Sequence, residues 1–382
     1  MMEFGLTGEQ QKFLKEVAQF CEAECGAVPI EELEEKGVDP EALEAKIAAK
    51  GWYGLPYPKE YGGMGKGYFD IGLLIEELAR GGYPYPGRLQ LTTMIGLNIL
   101  KNGTRSQKLN ILPKVSRGES TLSISVTEPD SGSDIASLKT KAVENKGGYL
   151  LSGQKLYNSC SAGDKNTIMV AARTDATVPV HKGLTMFLVP ANSPGLTFRR
   201  LHSMGRKIGG LYEVFFDDVR VPRESVLGEV NKGWAVLTGG FNVERAIISA
   251  GLIGFARRMF NDLLKNVNDR YGPSVNPERR GAVMCRVAEF ASQIQAAKLL
   301  TDQALRSADK HDLSIETVCQ CKIVGSELVK KLGDFCAEVA GGKGYLMSSL
   351  VQWYFRESRI VTIGGGSSQV MRNVAGAQLG LK

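Results

Sequence analysis

The sequence predicts an α+β protein in three successive parts: helices over residues 1–120, strands over 121–228 and helices again over 229–382. Two observations carry this. The apolar period shifts from near 3.6 toward 2 at about Thr121 and returns to helical spacing from Gly233. Gly, Pro, Asn and Asp bound the short runs of the middle part, whereas the outer parts carry helix caps and stops. No repeat, low-complexity tract or Pro/Ser-rich linker separates the parts, so they are expected to pack as one rigid subunit. At 382 residues the chain exceeds one ordinary domain.

Thr7 with Gln10 three residues on has the form of a capping box, and Phe13, Leu14, Val17 and Phe20 follow at helical spacing. Asp39-Pro40 reads as the next helix start, with Leu43 and Ile47 apolar and Gly51 as the stop. Pro58-Lys-Glu-Tyr-Gly-Gly-Met-Gly65 is a glycine-rich connection, after which residues 70–80 are helical and 97–115 continue in that style. In the middle part, the alternation through Ile124 and Val126 breaks at Pro129 and Gly132, so a strand runs into a loop. Residues 149–151, 167–172, 184–189 and 213–216 are further β-type runs, giving a small antiparallel β domain. In the last part, helical patterns cover roughly 234–267, 279–308 and 315–339. Ile247, Ile248, Leu252, Ile253 and Phe255 cover more than one helix face, so these helices bury themselves in a bundle or at a subunit interface.

Composition narrows the function. Lys and Arg exceed Asp and Glu by 6 (47 against 41), which tolerates a polyanionic small ligand, and no basic block with interleaved aromatics suggests a nucleic acid. Seven dispersed cysteines imply reduced thiols in a cytoplasmic setting, and three separated histidines give no metal site. The N-terminus lacks a basic region followed by an apolar run, and no long charge-free apolar segment follows, so a soluble protein without leader or membrane span is expected.

No Gly-x-Gly-x-x-Gly follows an early strand, so a Rossmann-type nucleotide site is unsupported. Instead, Thr127-Glu-Pro-Asp-Ser-Gly-Ser-Asp134 resembles the flavin-binding loop of the acyl-CoA dehydrogenase family. Pro58 to Gly65, Ser152-Gly-Gln-Lys-Leu-Tyr-Asn-Ser159, Phe216-Asp-Asp-Val-Arg-Val-Pro222 and Glu338-Val-Ala-Gly-Gly-Lys-Gly344 are similar to further family segments, and the likeness spans nearly the whole chain. It implies the family's architecture, with a C-terminal four-helix bundle, and FAD as cofactor. By resemblance, Ile124, Val126 and Thr127 touch the flavin, and Gly132 and Ser133 reach phosphate and CoA groups. Tyr157 takes the aromatic position shielding one flavin edge, where the family has Trp, and Ser159 takes the hydroxyl position facing N5. Glu338, Gly341 and Gly342 lie where a backbone approaches the ADP half of a neighbouring subunit's FAD. Arg270, in Asn268-Asp-Arg-Tyr-Gly272, stands in for the family's Arg-x-x-Phe-Gly motif, whose Gln partner is missing.

Ile363-Gly-Gly-Gly-Ser-Ser-Gln-Val370 resembles the terminal loop that in many members supplies the catalytic Glu. Ser367 and Gln369 keep the hydroxyl and amide that touch FAD, but Gly365 occupies the Glu position. Glu244, in Phe241-Asn-Val-Glu-Arg245, matches the alternative base of members resembling isovaleryl-CoA and long-chain acyl-CoA dehydrogenases, which pair a helix Glu-Arg with a loop Gly. Phe241, Asn242 and Arg245, with Gly365 and Ser133, then border the thioester. The resemblance implies α,β-dehydrogenation of an acyl-CoA to the trans-2-enoyl-CoA, an electron-transfer flavoprotein or similar acceptor, and a homotetramer. An enoyl-CoA reductase, an oxidase, an enzyme of acyl carrier protein thioesters or a catalytically silent subunit are the alternatives on this fold.

Overall fold

The computed structural model describes residues 5–26, 28–84, 87–272 and 276–381. Residues 1–4, part of the N-terminal reading, lie outside it. The helices of the first part are α1 (Gly8–Phe20), α2 (Ile30–Lys36), α3 (Glu41–Ala49), α4 (Tyr68–Gly81), α5 (Arg88–Asn102) and α6 (Arg105–Ser116). Strands β1 (Thr121–Ser125), β2 (Lys141–Asn145), β3 (Gly148–Ser159) and β4 (Asn166–Arg173) follow, then the short α7 (Val180–Gly183). Strands β5 (Leu184–Pro190), β6 (Leu196–Arg200), β7 (Leu211–Pro222) and β8 (Val226–Leu227) complete the middle part. The last part is α8 (Gly233–Arg270), α9 (Pro277–Asp309), α10 (Ile315–Ala340), α11 (Leu350–Ile360) and α12 (Ser368–Gln378). Helices, strands and helices succeed one another as predicted, and the protein is α+β.

Local chemistry explains most boundaries. Thr7 and Gln10 form the capping box in both directions. Asp39 does not cap α3: its carboxylate is buried on Arg88, and Pro40 precedes the helix without a side-chain cap. Residues 97–115 are not one helix either. Gly103 leaves α5 in extended backbone, and Thr104 opens α6 with a second capping box to Gln107.

The chain divides into two compact units. One comprises Leu33–Lys66 and Gly87–Phe241 and holds the sheet, with strand order β6-β7-β3-β2-β4-β5-β8. Its ladders are antiparallel except along β4, where β1 pairs in parallel and Lys141 of β2 pairs in parallel with Arg173. This departs from the expected all-antiparallel domain, because the chain between β1 and β4 is long enough for a crossover that returns it in the same direction. Successive residues of β4 and β5 feed two cores. Ile168, Val170, Phe187 and Val189 join one, while Met169, Ala171, Met186 and Leu188 join the other with Ile95, Ile99 and Leu237. Burial on both faces is why these strands read as continuous apolar runs rather than alternations.

The second unit comprises Met1–Glu32, Gly67–Pro86 and Asn242–Lys382. Helix α8 is long and apolar enough by composition to cross a membrane, which the sequence reading did not anticipate. Its Ile247, Leu252, Ile253 and Phe255 are instead fully buried inside the protein. Phe255 meets Trp353 and Tyr354 edge-on at 5.4 and 5.7 Å, and buried Glu76 receives Lys298 and Arg257.

Candidate active site

In the sheet unit, β3 loses register with β7 between Lys155 and Asn158, and Tyr157 sits in the bulge at φ +60°. A bulky residue rarely adopts that backbone, so the outlier marks an imposed position. Tyr157 stands 61% exposed between buried Lys155 and Asn158. Asn158 secures the bulge: its Oδ1 accepts from Ser125 Oγ at 2.5 Å, and its Nδ2 donates to Tyr212 O at 3.1 Å. Leu156 N donates to Thr127 O at 2.8 Å, which brings the predicted flavin threonine beside Tyr157. Thr127 and Ser159 are half-buried hydroxyls.

Beneath that loop lies a buried ion pair that sequence reasoning missed. Lys155 Nζ donates to Glu128 Oε1 and to Val126 O, each at 2.9 Å. Glu128 also accepts from Lys139 N at 2.6 Å and Thr140 N at 2.9 Å. Burial acts to raise the Glu128 carboxyl, but Lys155, Thr140 and Lys139 together hold it below the usual range. Burial lowers the Lys155 ammonium to about 8 against the pull of Glu128. Both residues belong to the resembling segments; their distance in sequence concealed the pairing.

Farther along, Ser131 Oγ donates to Asp134 O at 2.8 Å, and the loop turns Gly132 and Ser133 to the surface. A Cβ on Gly132 would meet no atom within 4 Å. Ile124 and Val126 pack against the apolar cluster of Ile95 and Ile99, as does Phe241, so the side chains of these three predicted site residues serve the core. Exposed Tyr157, half-buried hydroxyls on Thr127 and Ser159 and open space at Gly132 have the chemistry to meet a flat, heteroatom-edged ring with a phosphate-bearing tail.

In the helical unit, half-buried Glu244 and Arg245 lie on α8 beside Asn242. The terminal loop comes to them. Gly365 has φ +67°, and a Cβ there would lie 3.0 Å from Ile248 Cδ1, one turn beyond Glu244. A Cβ on Gly366 would lie 3.6 Å from Arg245 Nε. The structure thus sets the loop glycines against Ile248 and Arg245 of α8, Gly366 and Arg245 lying 121 positions apart (366 − 245). Burial pushes the Glu244 carboxyl up to about 7, opposed by the positive charges of Arg245 and Lys322. Burial likewise lowers the Arg245 guanidinium.

Other predicted residues have evident structural work. Ser367 caps α12 by accepting from Val370 N at 3.1 Å, and exposed Gln369 donates to Asn373 Oδ1 at 3.3 Å. Arg270 Nη1 donates to Val339 O at 2.9 Å, against Gly341, which ends α10 at φ +58°. Arg270 and the Gly-Gly segment therefore meet within one chain. Glu338 and Gly342 are exposed nearby in sequence.

Three family models match in succession: the acyl-CoA dehydrogenase N-terminal domain over residues 7–119, the middle domain over 123–219 and the C-terminal domain over 231–380. The mitochondrial isovaleryl-CoA dehydrogenase of Solanum tuberosum is 28% identical over 377 residues, covering 97% of this chain and 90% of its own. The CarC subunit of the caffeyl-CoA reductase-Etf complex of Acetobacterium woodii is 29% identical, covering 97% of this chain and 98% of its own. The crystal structure of an acyl-CoA dehydrogenase from Geobacillus kaustophilus superposes with a TM-score of 0.93 at 27% identity, covering 100% of both chains.

Proposed function

Since the chain belongs to the acyl-CoA dehydrogenase family, and is thereby a flavin-dependent oxidoreductase using FAD, we propose that Glu244 is its catalytic base. The reaction is removal of the α proton of an acyl-CoA thioester on the way to the trans-2-enoyl-CoA. FAD, when bound, supplies the acceptor for the β hydrogen as hydride. In the sheet unit, Thr127, Gly132, Ser133, Tyr157 and Ser159 would hold it. The observation that carries the assignment of Glu244 is the approach of the terminal loop to α8 around it: Gly365 lies against Ile248, one turn beyond Glu244, and Gly366 against the adjacent Arg245. A side chain at Gly365 would crowd Ile248, so the loop is shaped to approach α8 without one.

A carboxyl raised to about 7 is suited to taking a proton at neutral pH, because it is both substantially ionised and basic enough to accept. Arg245 and Lys322 limit that rise, so the carboxylate is not driven to permanent neutrality. The same group, protonated, would serve in reverse by returning a proton to an enoyl thioester. The caffeyl-CoA reductase relative supports keeping that direction open, and supports an electron-transfer flavoprotein as redox partner. Exposed Tyr345, Leu346, Met347 and Leu350 form an apolar stretch that supports assembly into a homotetramer. Anaerobic titration of the FAD-loaded protein with a panel of acyl-CoAs tests the reading: at least one should bleach the flavin. Failure of saturated acyl-CoAs to do so, with oxidation of the reduced protein by enoyl-CoAs, would assign the reverse direction.

A further inference from the structure

Helix α10 contributes a buried lysine at the place where α8 and the terminal loop meet. Lys322 is 1% exposed, and its Nζ donates to Val361 O at 2.6 Å. Val361 caps the C-terminus of α11, where the last carbonyls carry partial negative charge, so an ammonium there is electrostatically matched. One turn on, Ser326 Oγ donates to Lys322 O at 2.6 Å and lies 3.4 Å from Ser368 Oγ, the first residue of α12. Helix α10 therefore holds both ends of the loop from Val361 to Ser368. Between them, Lys322 Cε lies 3.6 Å from where a side chain on Gly365 would begin.

A buried ammonium is costly to desolvate, and the carbonyl of Val361 returns part of that cost. A hydrophobic residue could pack against α11 at this position. What it could not supply is a fixed positive charge in the field of Glu244. The charged groups acting on Glu244 are Arg245 from α8 and Lys322 from α10; Cys319 of α10 acts on Arg245. The loop from Ile363 to Gln369 contains no titratable side chain.

Building on the reading of Glu244 as base, we propose that Lys322 is a positioning residue for proton abstraction: it anchors the terminal loop through Val361 and holds a positive charge beside Glu244 that favours its carboxylate form. The electrostatic role follows from burial, since a charge pair in a protein interior is screened far less than one at the surface. Removing the charge leaves Glu244 in the same burial with Arg245 alone to oppose it.

The test uses FAD-loaded protein carrying Lys322→Met, Lys322→Gln or Lys322→Arg, alongside the parent and Glu244→Gln. Lys322→Gln retains a donor for Val361 without the charge, so it separates anchoring from electrostatics. The rate of anaerobic flavin reduction by saturating acyl-CoA is followed against pH, together with the pH dependence of Tm relative to the same background carrying Glu244→Gln. Both neutral variants should shift the acid limb upward by about one pH unit, the low end for loss of a nearby opposite charge. The pH range over which Tm diverges from its Glu244→Gln counterpart should extend upward with it, while Lys322→Arg retains the parent limb. An unmoved limb in a neutral variant that binds FAD overturns the proposal, as does failure of both neutral variants to take up FAD, which would mark a purely structural residue. If Glu244→Gln reduces flavin at the parental rate, the base assignment itself fails; if it is silent while the limb stays put, only Lys322 is wrongly assigned.

Discussion

Two glutamates, each near a buried lysine, have opposite fates in this protein. Glu128, in the sheet unit, accepts from two backbone amides and from the Lys155 ammonium, and these donors hold its carboxyl low despite burial. At Glu244, in the helical unit, the positive charges of Arg245 and Lys322 act against burial and burial prevails, so the carboxyl rises to about 7. Burial and a neighbouring lysine are common to both. The saturation of Glu128 by fixed donors makes it a permanent anion that ties a loop together, while the weaker opposition at Glu244 leaves a group able to exchange a proton near neutrality.

This contrast can be broken from either side, beginning with the largest effect on stability. Glu128→Leu would strand the Lys155 ammonium in the core beneath the Thr127 loop. Loss of one partner of a buried pair costs about 3–5 kcal/mol, so denaturant unfolding should show a drop of that size with impaired FAD retention. An unchanged midpoint would show that the pair is not what fixes the loop.

Glu244→Gln should act in the opposite direction. A carboxyl raised from 4.5 to about 7 makes the folded state bind more protons than the unfolded state between those pH values. Its contribution to stability is therefore full below about pH 4.5 and is lost as pH rises through about 7. At pH 8 the Gln variant should be more stable than the parent by roughly 3 kcal/mol, with the difference shrinking toward zero near pH 4. A variant less stable than the parent at pH 8 would count against a raised carboxyl. Gly365→Ala gives the smallest effect: a φ of +67° and close contact with Ile248 predict a loss of about 1–2 kcal/mol by thermal unfolding. No loss would show that the loop readily relaxes away from α8.

Features set by neighbours in sequence were legible before the structure. The Thr7–Gln10 capping box, the run into β1 and the apolar strands β4 and β5 follow from local chemistry and burial. Strands β2 and β6 were missed because Lys141–Asn145 and Leu196–Arg200 are short, largely polar and mostly exposed, leaving little periodic signal. Asp39-Pro40 marks the start of α3 as its sequence implies, whereas the pairing of the Asp39 carboxylate with distant Arg88 is set by tertiary structure. The site divides in the same way. Thr127, Tyr157, Glu244 and Gly365 are proposed through motif resemblance, and Ser367 through the terminal loop, although its visible work is capping α12. Glu128 and Lys155 lie in the resembling segments, but their pairing, like the place of Lys322, spans a long sequence separation and left no local pattern. The strained backbone at Tyr157 was likewise invisible, because φ is not encoded by a single aromatic residue in a strand pattern.

The central claim is that Glu244 moves the α proton, and its most direct test is stopped-flow anaerobic mixing of FAD-loaded Glu244→Gln with an acyl-CoA that bleaches the parent. Removal of a general base predicts flavin reduction slower by at least about a hundredfold, and up to about ten-thousandfold, with FAD content and thioester affinity retained. Flavin reduction at the parental rate would contradict the account and place the base elsewhere.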